Sequence, residues 1–225
     1  MKYYAIIVAG GKGLRMGSPL PKQFLEVEGT SILEHTLTAF CGAFDNDIQI
    51  ILVLNEDYLG YWNEIAGNFC KTNNIQITTG GQSRFHSVKN GLALVKQEES
   101  IVGIHDAVRP LVTKAFLQNI YKIAETKHAV IPSLPLQSSI RQILSSTENK
   151  AVDRSLFRII QTPQCFYFPL LKAAFSQAYL PDFTDDASVV ERWGHAIHLT
   201  DGIEENIKIT TPSDLLLMKV LLKNI

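Results

Sequence analysis

Beyond a short apolar run the chain reads Ala9-Gly10-Gly11-Lys12-Gly13-Leu14-Arg15-Met16-Gly17, and soon afterwards Pro21-Lys22-Gln23. Glycines let backbone N–H groups approach a phosphate chain closely, and Lys12, Arg15 and Lys22 can neutralise it. A plain glycine-rich connector would explain the glycines but not three cations within eleven residues. The loop therefore reads as a phosphate cradle. Its spacing sets aside two common versions. Gly11, Gly13 and Gly17 give GxGxxxG where a dinucleotide fingerprint wants GxGxxG, and Lys12 precedes a glycine where a P-loop lysine precedes Ser or Thr.

A second segment, Gly80-Gly81-Gln82-Ser83-Arg84-Phe85-His86-Ser87, offers groups that can read a base edge, with Ser83 as the cap of the following helix. Taken alone, a capped loop is its plainer reading, with His86 on the helix surface. A third, Ile104-His105-Asp106-Ala107-Val108-Arg109-Pro110, puts a carboxylate and an arginine just past a buried strand. Open α/β sheets bind their ligands at that edge. Asp106 could hold a divalent cation on a triphosphate, since Mg²⁺ prefers hard oxygen ligands. An Asp106–Arg109 ion pair that closes a turn before Pro110 is the structural alternative, and the two are compatible.

Three later segments, 153–155, 161–164 and 206–210, add polar groups without a core role. In the last, Lys208 alternates with Ile207 and Ile209 and points away from their side. Asp185 and Asp186 most simply begin a helix, where negative charge suits the dipole. His195 and His198 lack a carboxylate or cysteine partner and are not read as a metal site. Cys70, Trp62 and Trp193 read as packing residues.

The elements that must position these groups follow from periodicity. Apolar runs at 3–8, 48–54, 75–79, 101–105 and 129–131 read as buried strands, and stretches with helical spacing at 31–40, 58–69, 84–96 and 113–126 lie between them. That alternation predicts an α/β fold, a Rossmann-like, mostly parallel sheet with helices on both faces. From Pro132 the pattern changes, and about 133–155 reads as an extended β-arm that cannot be stable by itself and needs a host, a partner chain by preference. A short strand near 159, helices at 168–178 and 185–193, a strand at 196–199 and a last helix from Pro212, capped by Thr211, complete the chain. The 225 residues are 46% hydrophobic and 19% charged, with a formal net charge of −1. One globular domain over 1–225 is expected, with no overall field for nucleic acid or an anionic membrane. Three scattered cysteines without CxxC predict a reducing, cytoplasmic setting, and the opening run is too short for a signal peptide or a membrane span.

The motifs AGGKGLRMGSPLPKQF, GGQSRFHSV, HDAVRP, VDRS, QTPQ, FTDDASVVE and ENIKIT follow in this order over almost the whole chain. The set closely resembles the 2-C-methyl-D-erythritol 4-phosphate cytidylyltransferases, with ribitol 5-phosphate cytidylyltransferases as near relatives. The resemblance implies CMP transfer from CTP to a polyol phosphate, Mg²⁺ as the metal and a homodimer joined by the β-arm. It also implies residue roles. Arg15 and Lys22 match the cations that stabilise the transition state, and Lys12 and Gly13 share their loop. Ala9, Gly10 and Gly11 line the nucleotide, and Gly81, Gln82 and Ser87 recognise cytosine. Asp106 binds metal and substrate. Arg109, Ser139, Thr162 and Thr184 fall on the acceptor side, where Arg154, presented near the arm, and Lys208 position the attacking phosphate.

The physics agrees with that chemistry. A phosphate monoester is largely dianionic near neutral pH and needs no strong general base; the barrier lies in bringing two polyanions together. The chain departs from the family at Ser138-Ser139-Ile140-Arg141, where Asp-Thr-x-Lys is usual, and the loss of that carboxylate bears on the choice of polyol. The sequence-level alternatives are the same chemistry on ribitol 5-phosphate and a regulatory protein that binds nucleotide without turnover.

Overall fold

The computed structural model describes residues 1–10, 20–67, 69–73 and 75–224. In chain order the elements are β1 (Lys2–Ala9), β2 (Glu26–Val27), β3 (Thr30–Ser31), α1 (Ile32–Ala43), β4 (Gln49–Leu54), α2 (Leu59–Ala66), α3 (Phe69–Thr72), β5 (Ile75–Thr79), α4 (Arg84–Leu92), β6 (Ser100–Asp106) and α5 (Lys114–Lys127). They continue as β7 (Ala129–Pro135), β8 (Arg141–Ile143), β9 (Asn149–Ala151), β10 (Arg158–Ile160), β11 (Gln164–Tyr167), α6 (Phe168–Ala174), α7 (Asp186–Arg192), β12 (His198–Asp201) and α8 (Pro212–Leu221).

The main sheet runs β10-β7-β11-β6-β1-β4-β5, with β12 also on β7. The pairs β1–β4, β1–β6, β4–β5 and β7–β12 are parallel, and β10 and β11 run antiparallel to their neighbours. Alternation along β1 explains the layers. Ala5 and Ile7 face a core with Leu33, Phe40, Trp62 and Leu117, whereas Tyr4 and Ile6 face one with Phe85, Val88, Leu171 and Val189. Each strand of the parallel core is apolar on both sides because helices cover both faces. Ser31 caps α1 through a capping box with Glu34, and Thr113 caps α5 by accepting from the Phe116 N–H.

Several boundaries move from expectation. The helix expected over 58–69 is two, α2 and α3, because the backbone turns at Gly67 with φ of +49°. The helices expected over 84–96 and 168–178 stop at Leu92 and Ala174. β11 joins the sheet between β6 and β7 where sequence reading placed only polar groups at 161–164 and a helix from 168. Trp62 is fully buried as a packing residue should be, but Trp193 is 48% exposed at the end of α7, so its packing role is corrected. The β-arm exists as the β8–β9 hairpin and is exposed throughout, with Ile143 at 72% and Leu156, just beyond it, at 80%. No helix among the described residues is long and apolar enough to cross a membrane.

Tyr121 locks α5 to the sheet. Its hydroxyl donates to the Tyr4 carbonyl at 2.8 Å, over Gly103 in β6, where a Cβ would lie 2.2 Å from that oxygen. Gly103→Ala should therefore cost about 2–4 kcal/mol by overpacking. Urea unfolding checks this, and adding Tyr121→Phe should restore part of the loss.

Candidate active site

The sheet grows from β1 through β4 to β5 and then returns to β6 on the other flank of β1. The carboxyl ends of β1 and β6 thus form a switch point, where a crevice opens for ligands. Val8 pairs with Asp106 there, and the Ala107 N–H donates to the Val8 carbonyl at 3.2 Å.

Asp106 ends β6 and is 9% exposed. Its Oδ2 meets Lys208 Nζ at 3.0 Å and Arg109 Nε at 3.3 Å, and its Oδ1 faces Arg84 Nη2 at 3.8 Å. Burial alone would raise its pKa, but the attraction of Arg84, Lys208 and Arg109 outweighs burial and holds the carboxyl well below the usual range. Arg84 also pairs with Asp186 Oδ1 at 2.6 Å. Burial works against the Arg84 charge, yet the Asp186 and Asp106 carboxylates outweigh it and raise the guanidinium pKa. Burial pushes Asp186 up, and Arg84 opposes that rise.

Backbone groups place these side chains. The Arg109 N–H donates to the Asp106 carbonyl at 3.1 Å and its Nη1 to the Asn206 carbonyl at 2.7 Å. Thr162 Oγ1 accepts from the Asp106 N–H at 3.1 Å, and Asn206 Nδ2 donates to the Thr162 carbonyl at 2.7 Å. Ile209 N–H donates to the Val108 carbonyl at 2.9 Å, which carries its neighbour Lys208 to Asp106. Lys22 reaches the same corner, donating from Nζ to the Ile209 carbonyl at 2.8 Å, while Gln23 Nε2 donates to the Ala9 carbonyl at 3.1 Å. The Asp106–Arg109 ion pair of the structural alternative is present.

On the other flank, Gly10 lies against Ser87 and Gly80. The Gly81 N–H donates to Ser87 Oγ at 3.0 Å, Ser87 Oγ donates to the Ser83 carbonyl, and Ser83 caps α4. Gln82 is exposed beside them. Phe85 stacks on Phe175 at 4.9 Å and on Phe183 at 5.6 Å, which fixes the start of the segment carrying exposed Thr184. Asp185 caps α7 through Ser188, as its position predicts, and accepts from Gln164 Nε2 at 2.7 Å.

Two expected residues stand apart. Arg154 donates to the Gln137 carbonyl and lines a cleft of about 510 Å³ with Pro135, Leu136, Ser155 and Arg158 at the base of the arm. Ser139 is exposed on the arm, and no contact among the described residues joins either one to the Asp106 cluster. Gly11, Lys12, Gly13 and Arg15 lie outside the described residues. Sequence reading missed Arg84 and Asp186 as site groups. A signal existed: a cation at the first position of a helix opposes the dipole, and Asp185 by itself suffices as a cap, so each was a charge without a local purpose.

The donor set bears on a metal. No cluster of three or more His, Cys, Asp or Glu exists among the described residues. One strongly acidic carboxylate suits Mg²⁺ that takes its other oxygens from phosphates and water, and does not suit Zn²⁺.

Over residues 3–224 the chain matches the model of a family described as 2-C-methyl-D-erythritol 4-phosphate cytidylyltransferase. A protein so named from Bacteroides thetaiotaomicron is 49% identical over 222 residues, covering 99% of this chain and 100% of its own length. One from Bacillus velezensis is 35% identical over 226 residues, covering 99% and 97%. Among solved structures, a 4-diphosphocytidyl-2C-methyl-D-erythritol synthase from Anaerococcus prevotii superposes with a TM-score of 0.81 at 26% identity over 98% of both chains. The similarly named cytidylyltransferase from Thermus thermophilus gives 0.77 at 28%, over 99% of this chain and all of its own.

His105, beside Asp106, meets Thr162 Oγ1 at 3.0 Å and the Arg109 carbonyl at 3.0 Å. Burial lowers its pKa from 6.5 to about 4, against opposing hydrogen bonds and the Asp106 charge. Above pH 6.5 both folded and unfolded forms are neutral, and between 6.5 and 4 only the unfolded form takes up the proton. Stability should therefore fall as pH falls through that window, by on the order of 3 kcal/mol. In chemical denaturation a His105→Gln variant should lack this slope; an unchanged slope would show that another group carries it.

Proposed function

The chain belongs to the 2-C-methyl-D-erythritol 4-phosphate cytidylyltransferase family, and on that premise we propose that it transfers CMP from CTP to 2-C-methyl-D-erythritol 4-phosphate with release of pyrophosphate. An oxygen of the acceptor's phosphate attacks the α-phosphorus of CTP, a new P–O–P link forms, and the bond to the β-phosphate bridge breaks. No proton must move at neutral pH, because the attacking monoester is mostly dianionic and pyrophosphate leaves as an anion. Catalysis then consists of holding two polyanions in line and meeting charge as it develops.

The observation that carries this reading is the braced Asp106 at the switch point, with Lys208, Arg109 and Lys22 converging on one corner. The nucleotide falls to Ala9, Gly10, Gly81, Gln82 and Ser87, and Lys22 meets its phosphates, joined by Gly11, Lys12, Gly13 and Arg15 on the strength of the sequence motif. Arg109, Thr162, Thr184 and Lys208 take the acceptor, with Asp106 between the two. We propose Mg²⁺ as the metal; Asp106 would hold it, and it would neutralise triphosphate charge. Ser139 and Arg154 reach the acceptor from the arm of a second copy. The exposed apolar groups of that region, Ile143, Leu144, Leu156, Phe157 and Ile159, support a homodimer because water is a poor host for so many together. Three free cysteines fit a reducing cytoplasm.

Pyrophosphate release from CTP and Mg²⁺ with methylerythritol phosphate tests the proposal, with ribitol 5-phosphate as the competing acceptor and ATP, GTP and UTP as nucleotide controls. Turnover should be highest with CTP and methylerythritol phosphate. A clear preference for ribitol phosphate would overturn the acceptor, and CTP binding without turnover on either acceptor would overturn the reaction. In the same assay Lys22→Ala should lower kcat by roughly 100-fold or more with a much smaller change in KM for CTP.

A further inference from the structure

The proposed chemistry leaves one strong contact without a role, the 2.6 Å pair between Arg84 and Asp186. Asp186 is 1% exposed, and its Oδ2 has no hydrogen-bond partner among the described residues. It is not needed as a cap, since Asp185 and Ser188 already form the capping box of α7. Nor is it loosely placed. The Ala187 N–H donates to Gln164 Oε1 at 2.9 Å, and Phe183 is stacked on Phe85, the residue after Arg84. A buried carboxylate is thus fixed against the first residue of α4 at a distance that marks a charge-assisted hydrogen bond.

The same guanidinium stands 3.8 Å from Asp106 Oδ1, too far for a hydrogen bond, while Asp106 Oδ2 is engaged by Lys208 and Arg109. We propose that Asp186 is a positioning residue that holds Arg84 off Asp106, so that Oδ1 of Asp106 stays open toward the crevice. Two carboxylates compete for one guanidinium, and Asp186, the more deeply buried, wins by distance. Arg84 cannot lose its proton, so without the Asp186 charge it closes on the nearest remaining carboxylate, which is Asp106 Oδ1. Asp106 is then tied on both oxygens and unavailable to a substrate. This inference rests on the reaction proposed above, in which Asp106 faces the substrates.

Three proteins test it: Asp186→Asn, the double variant Arg84→Gln/Asp186→Asn, and the wild type. In a crystal structure of Asp186→Asn, the Arg84 to Asp106 Oδ1 distance should contract to about 3 Å. Its kcat for pyrophosphate release should fall about tenfold or more with KM for CTP little changed. The double variant replaces both charges by a neutral hydrogen-bonding pair, leaves Lys208 and Arg109 on Asp106 Oδ2, and should be at least about threefold faster in kcat than Asp186→Asn. A purely structural Asp186 would leave the Arg84 to Asp106 Oδ1 distance near 3.8 Å. An Asp186→Asn kcat within about twofold of wild type, or a double variant as slow as the single one, overturns the inference. If Asp186→Asn does not fold, a crystal structure of Asp186→Ser decides: the Arg84 to Asp106 Oδ1 distance should contract there too, and a distance that stays at 3.8 Å overturns the inference. An inactive wild type would instead sink the reaction assignment, and the Arg84–Asp106 distance would still decide this inference.

Discussion

A carboxylate taken out of water at the end of a buried strand is stable only if cations follow it there; an unpaired one costs several kcal/mol. Asp106 imposes that demand. Two of its partners come from distant parts of the chain, Arg84 at the start of α4 and Lys208 in the segment before α8, and the third, Arg109, from the turn just after β6. Each has to be delivered by contacts made elsewhere in the fold. The Ile209–Val108 hydrogen bond delivers Lys208, the Asn206 carbonyl holds Arg109, and the stack of Phe85 on Phe183 sets α4 against α7.

The result suits a reaction in which like charges must meet. Lys208, Arg109 and Lys22 give a corner of fixed positive charge in a protein whose net charge is −1. Such a field is local, made by preorganised groups rather than by overall charge, and needs no reorganisation as charge shifts from nucleophile to leaving group. Asp106 keeps Lys208 and Arg109 in register, while Asp186 keeps Arg84 from joining them too closely.

Much of this was legible in the chain, for physical reasons that differ by element. The parallel core announced itself because strands covered on both faces must be apolar throughout, as 50–54 and 101–104 are. Arg109 and Asp106 were visible because they adjoin such a strand. β11 was not, since four residues with Gln164 at one end carry too little periodicity to separate strand from loop. Arg84 and Asp186 were hidden because their meaning lies in a contact spanning 102 residues, which no local spacing encodes. Trp193 misled because a large aromatic is buried only where neighbours cover it, and here 48% of it stays exposed.

The charge balance of the site turns on the state of Asp106, and ¹³C-NMR titration of its side-chain carboxyl, assigned through Asp106→Asn, reads that state directly. With its three cations in place, the resonance should stay in its ionised position down to roughly pH 3, well below where an ordinary aspartate titrates. A midpoint near the usual value of about 4 would mean that Arg84, Arg109 and Lys208 do not brace the carboxylate in solution, and would contradict the electrostatic basis of the site.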